Sequence, residues 1–340
     1  METLWNMNNK EENDFHIAWH EIRWSSKIFI VAMFIAWMTS TLFYFLSLAA
    51  ASPEPVNDAI TSTAAMAMKK VDSAAKHLDL MWSIFLFNSL SVITASVGNG
   101  LLPFIQNISI AELKVRAHHQ KYTTFSVKVE QLFQLASTLI KDSTQRLDPG
   151  IARLRDQDNS ETEDSIWKRA KYSKEHFRLL AYVIPYLIPV ITLTLNGMLL
   201  GIMFSFFIFN GTLSSYNLIG PLGIGQGILY SVFYFLAFIL PHGIIELPVI
   251  IIAGALGYRF ARVYSGKIVE NELLSGNEAE SLEKDVSYLN SIATEYIRSS
   301  YLRTMVTRML ILLLVAAYIE TNITPNVALQ VADLIGRLLF

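Results

Sequence analysis

The chain has 340 residues, of which 52% are hydrophobic and 16% charged, with a net charge of −2 and no cysteine. A soluble domain carries about a quarter charged residues. Here mean hydropathy is +0.37 and the charges sit in gaps between long apolar blocks, the distribution of a polytopic membrane protein. The small net charge excludes a general electrostatic pull toward nucleic acid, and the missing cysteines exclude disulfides, thiolate metal sites and cysteine nucleophiles.

A spanning helix needs about 20 mainly apolar residues. Residues 1–27 are a polar tail, and the run Ile28 to Ala50 reads as a retained anchor. Residues 53–77 have an amphipathic helical pattern leading into a second span, Met81 to Ile105, which completes the block 28–105. Residues 106–178 form a charged insertion in which Val129, Leu132, Phe133, Ala136, Leu139 and Ile140 recur at helical spacing, before an acidic break at 156–164. Leu179 to Phe209 and Ile228 to Leu256 are the third and fourth spans of the block 179–257, joined by an uncharged, glycine-rich loop at 211–227. Both exceed what a bilayer requires, so each is expected to tilt, kink or extend beyond it. In the charged segment 258–300, residues 275–299 read as a helix running directly into the fifth span, Tyr301 to Ile319, within 301–320. Arg303 and Arg308 lie in its first turns, where they snorkel to an interface. The tail 321–340 places Val327, Val331, Leu334, Ile335 and Leu338 on one face, as an interfacial or back-packed helix does.

The expected fold is therefore all-α, a transmembrane helix bundle of about five spans with helical excursions. If the N-terminus is inside, 23 of the 27 Lys and Arg lie on the inner side and 4 on the outer. The positive-inside bias favours that arrangement. It implies a multi-pass plasma-membrane protein with a cytoplasmic N-terminus and an extracytoplasmic C-terminus. The sequons at Asn210 and Asn322 then face outward.

No catalytic, cofactor or metal motif stands out. Gly223-Ile-Gly225-Gln-Gly227 follows no strand and lacks the spacing of a phosphate loop. His242 and Glu246 share the fourth span, but the second histidine of a helical zinc motif is missing. These two residues are one helical turn apart, so they project from one face. An ionised group in lipid costs at least about 2.5–3.5 kcal/mol, so that face is expected to turn inward, toward Asn88, Asn99 and Asn196 in the neighbouring spans. Gly98, Gly197, Gly201, Gly243, Gly254 and Gly257 allow close helix approach, with Gly197 and Gly201 a full small-xxx-small match. Pro241 and Pro248 each remove a backbone donor and are expected to bend the fourth span.

The run Leu240-Pro-His-Gly-Ile-Ile-Glu-Leu-Pro248, followed by Ala253-Gly254 and Gly257, resembles the signature of the stage II sporulation protein M family of prokaryotic integral membrane proteins. Asn88 with Gly98, and Asn196-Gly197 with Gly201, are similar to that family's other marks, so the resemblance covers roughly residues 80–260. The connection between the second and third spans is longer than the family leads one to expect. The resemblance implies a membrane protein of this topology; the family's sporulation member is a membrane scaffold that helps recruit peptidoglycan-degrading partners and is not known as an enzyme. Two functions are weighed on this basis. One is a non-enzymatic scaffold that docks protein partners through 106–178 and 258–300, with the polar face clamping the bundle and the bilayer and a second copy as further partners. The other is a transporter or channel component with an ion or proton path through His242 and Glu246.

Overall fold

The apolar runs fold as helices in a computed structural model that describes residues 15–49, 79–129 and 165–339. The polar tail before residue 15, the amphipathic stretch 53–77, and the insertion from 130 to 164 with its acidic break lie outside the described residues. In chain order the helices are α1 (Trp19–Ala49), α2 (Leu80–Val97), α3 (Leu102–His118), α4 (120–129), α5 (Ile166–Ala170), α6 (Lys174–Ile219), α7 (Gly223–Glu270), α8 (Ala279–Arg298), α9 (Ser300–Asn322) and α10 (Thr324–Leu339). No strand occurs among the described residues.

Among the described residues, four stretches are long and apolar enough to cross a bilayer: Trp19–Leu46, Leu80–His118, Lys174–Glu270 and Ser300–Asn322. The third, 97 residues long, holds both α6 and α7. The five apolar runs of the sequence thus fall on α1, α2 with the start of α3, α6, α7 and α9. At 46 and 48 residues, α6 and α7 are each about 70 Å long, roughly twice the ~30 Å hydrocarbon layer. Their excess length runs on as helix, and α7 continues through Pro241 and Pro248 without interruption.

Three expectations about the joints are corrected. The second span is not one continuous helix: α2 stops at Val97 and a 3₁₀ turn, Gly98–Leu101, precedes α3. Two glycines weaken the helix there, and Pro103 in the first turn of α3 has no N–H to continue the α-ladder. The glycine-rich stretch 211–227 is not a loop. It is the helical tip of the α6–α7 hairpin, turned only at Gly220–Leu222, where Gly220 takes φ 70°. A Cβ at Gly211 would collide with the Ser231 hydroxyl, and one at Gly227 would sit 2.7 Å from the Gly211 carbonyl. Gly211, Gly223 and Gly227 thus let two helices touch, whereas a Cβ at Gly225 would meet nothing within 4 Å. Residues 275–299 do not run directly into the fifth span either. Ser299 leaves the helical region at ψ 137°, and its hydroxyl accepts from Leu302 N at 3.2 Å, capping α9 afresh.

The chain divides into two compact units interleaved along the sequence. The charged unit contains Val97–Ile188 and Leu256–Arg303 and reaches back to the residues before Ala18. Its core holds Trp167, Phe260, Tyr264, Leu282, Leu289 and Tyr296, all buried. Phe15 packs between Phe260 and Tyr296, 6.4 and 5.2 Å away between ring centroids. The amphipathic α8 sets Leu282, Val286, Leu289, Ile292 and Tyr296 inward and turns Glu280, Glu283, Lys284 and Tyr288 outward. Two buried arginines tie carbonyls together. Arg116 donates through Nε to Ala170 O at 2.7 Å and through its terminal nitrogen to Lys171 O at 3.2 Å, capping the last turn of α5. Its guanidinium lies 4.9 Å from the centroid of the Tyr172 ring. Arg178 donates to Leu273 O at 3.1 Å. The next residue, Leu274, has φ 61° and gives its N–H to Asp285 at 2.7 Å.

The apolar unit holds Ala18–Ser96, Pro189–Ala255 and Thr304–Phe340. Within it α6 meets α1 through Gly197 and Gly201, where an added Cβ would strike the Phe29 and Met33 carbonyls. At Gly254 of α7, a Cβ would come within 2.7–2.8 Å of the Leu193 side chain of α6. Gly243 differs, since a Cβ there would meet only Ile239 and Leu247 of its own helix. The outward faces carry large apolar side chains, including Ile30, Phe34, Met38, Ile311 and Val315. Arg303 and Arg308 are exposed. The tail helix α10 buries Thr324 and Ala328 and leaves Leu334 and Leu338 open, so the inward face is shifted from the one its apolar pattern predicts.

Candidate functional site

His242 and Glu246 stand one turn apart on α7, as their spacing requires. His242 is buried and Glu246 half-buried. A third ionisable residue joins them from α9. One nitrogen of His242 and one carboxylate oxygen each from Glu246 and Glu320 all lie within 4.8 Å of one another. Glu320 sits in the last turn of α9, just past the apolar run. The chain breaks at Ile323 and re-enters helix at Thr324, which is fully buried and places its hydroxyl 3.3 Å from His242 Nδ1. The Phe238 ring meets the imidazole edge-on, 6.4 Å between centroids at 87°.

The backbone around this face is poor in hydrogen-bond donors. Pro241 and Pro248 give no N–H, which frees the carbonyls of Ala237 and Ile244 one turn earlier. Neither carboxylate is ion-paired to a lysine or arginine among the described residues. Two negative charges at this separation repel by about 3.5 kcal/mol at an effective dielectric of about 20. Such a pair at membrane depth calls for a proton or a cation.

The asparagines named from the sequence do not complete this cluster. Asn196 turns its amide back onto Thr192 O at 2.8 Å, on its own helix. Asn99 belongs to the charged unit, where its amide donates to Gly257 O at 3.1 Å in a fully buried contact. Asn88 is half-buried on α2 and bonds neither ionisable residue. Glu320 escapes a reading of the sequence because the apolar run ends at Ile319. An acid directly after that run, with no basic neighbour to pair it, was the available signal.

Two cavities lie in the same unit. One of about 850 Å³ is bounded by the α6–α7 tip and α10, with Asn210, Ser214, Tyr234, Asp333 and Arg337 among its walls. Another of about 410 Å³ is apolar, with hydroxyls from Thr41, Ser205 and Thr212 at its edge. Thr41 and Ser205 bond each other at 3.0 Å, linking α1 to α6.

Long apolar helices, lipid-type side chains on their outer faces and ionisable groups turned inward define a polytopic α-helical membrane protein. The family model described as Stage II sporulation protein M matches residues 157–325. The chain belongs to the stage II sporulation protein M family. That match takes in α5 to α9 and all three members of the His242, Glu246 and Glu320 cluster, whereas Asn88 and Gly98 fall before it. No curated protein and no solved structure matches the chain.

Proposed function

We propose that the chain is a non-enzymatic scaffold of the prokaryotic plasma membrane, with a cytoplasmic N-terminus and an extracytoplasmic C-terminus. It recruits or organises protein partners through its charged unit. The observation that carries this reading is that the charged segments fold on a core of their own and leave one face of α8 exposed, with Glu280, Glu283, Lys284 and Tyr288 outward. A loop serving only to join spans needs no buried Arg116 or Arg178. The distribution of 23 basic residues against 4 supports the orientation.

The test is affinity purification from native membranes with the intact chain and with Lys284→Glu combined with Tyr288→Glu, both on the outer face of α8. A defined partner recovered by the first and lost by the second supports the scaffold. Equal recovery by both, or no specific partner, sinks it. The cluster on α7 and α9 favours a second reading, a transporter or channel component. It predicts a pH-dependent flux in proteoliposomes that disappears in Glu246→Gln, and no flux of protons or common ions rules it out.

A further inference from the structure

One imidazole and two carboxylates converge within the apolar unit from helices that are not neighbours in sequence, and among the described residues no basic side chain pairs with either carboxylate. We propose that His242, Glu246 and Glu320 form a site for a divalent transition-metal ion of the zinc class, which ties α7 to α9. Charge balance selects the valence. Two carboxylates and a neutral imidazole carry −2, so a monovalent ion leaves a net charge in a low-dielectric setting and a divalent ion leaves none. The donors select the metal: imidazole nitrogen with carboxylate oxygen suits zinc and its first-row neighbours, whereas magnesium and calcium favour all-oxygen shells.

The geometry is close to what such an ion needs. With bonds of about 2.0–2.1 Å, tetrahedral ligand atoms lie about 3.3–3.4 Å apart. Atoms within 4.8 Å of one another are at most about 1.5 Å from that spacing, a gap on the scale of a side-chain rotation of the two half-buried glutamates. His242 is already oriented. Its Nδ1 lies 3.3 Å from the Thr324 hydroxyl, and in the tautomer that donates from Nδ1 to that oxygen Nε2 keeps its lone pair for the ion. A hydrogen bond to the far nitrogen of a ligating histidine is the usual second layer of support. Three protein ligands leave a fourth position for water or a substrate oxygen. The helical zinc motif missing from the sequence is supplied across helices, with Glu320 in place of the absent second histidine. This site is independent of the scaffold reading.

The experiment uses the whole chain purified in detergent without chelator from zinc-supplemented cells, dialysed, and measured by elemental analysis. The expected result is one zinc per chain, with affinity lower by roughly tenfold or more in Glu320→Gln and His242→Ala, and unchanged in the surface control Glu270→Gln. Wild-type chain free of stoichiometric metal, or Glu320→Gln retaining the full amount, overturns the proposal. If the variants aggregate, the wild type decides. Added cobalt should give the visible absorption of a tetrahedral nitrogen–oxygen site that zinc abolishes, and the absence of that absorption also overturns it.

Discussion

Replacing Gly201 by alanine adds one methyl group where α6 lies against α1. The new Cβ would collide with the Met33 carbonyl oxygen and sit 3.0 Å from both Met33 C and Trp37 N. All three are backbone atoms, so no side chain can rotate away, and the helices must part by on the order of 1 Å. A gap of that size forfeits about a quarter to a half of the dispersion well between facing atoms, and overpacking of this kind costs about 1–3 kcal/mol. Alanine returns about 1 kcal/mol through its better helix propensity, leaving a net loss of up to about 2 kcal/mol. Gly266 is the control, because it lies in α7 with nothing within 4 Å of an added Cβ. Gly266→Ala should be neutral or slightly stabilising. Denaturant unfolding in detergent micelles, followed by tryptophan fluorescence, measures both variants. Equal stability of Gly201→Ala and Gly266→Ala would refute the claim that backbone contact at Gly201 limits this interface.

Arg116→Met keeps the bulk of the stem but removes the donors to Ala170 and Lys171, and buried carbonyls left unpaired cost about 1–3 kcal/mol. The charged unit should then melt earlier and α5 should become a site of limited proteolysis, and unchanged protection would count against the capping role. Burial raises the Asp285 carboxyl above its ordinary value, while the Leu274 N–H and Arg178 partly oppose this. A raised folded value means that its contribution to stability is present in acid and is lost as pH rises through that value. Asp285→Asn should flatten this dependence between the ordinary value of 3.8 and the raised one, seen as a smaller change of melting midpoint with pH, and parallel profiles would exclude it. With no native cysteine in the chain, single cysteines report orientation cleanly. Leu222→Cys at the hairpin tip should react with an impermeant maleimide in intact cells and Ser291→Cys on α8 only after lysis, with the reverse pattern refuting the proposed topology.

The helices were legible because each long apolar run must satisfy its own amides, and only a helix does so within one segment. The joints were less legible. Gly98, Gly220 and Gly227 all look like breaks, yet one opens a 3₁₀ turn, one supplies a positive φ and one lets two helices touch. Which role a glycine takes depends on what lies opposite, and the sequence does not list that. His242 and Glu246 could be paired from their spacing on one helix, but Glu320 meets them only through tertiary packing. Arg116 was unreadable for the same reason: a charged residue in a polar segment looks solvated, and only the fold brings the Ala170 carbonyl to it.

The charged unit draws on stretches that the chain delivers far apart, with the apolar hairpin of α6 and α7 made in between. During synthesis α3 emerges long before α8, so the apolar face it presents to α8 stays uncovered while two membrane passes are threaded. Closure waits on late, non-local contacts, which makes assembly slow and leaves the nascent chain open to aggregation or to a chaperone. Excising 106–178 would therefore not remove a detachable module; it would strip α8 of its counterpart and leave its apolar side bare. Dissection of this protein calls for substitutions on its outer faces, not for deletions.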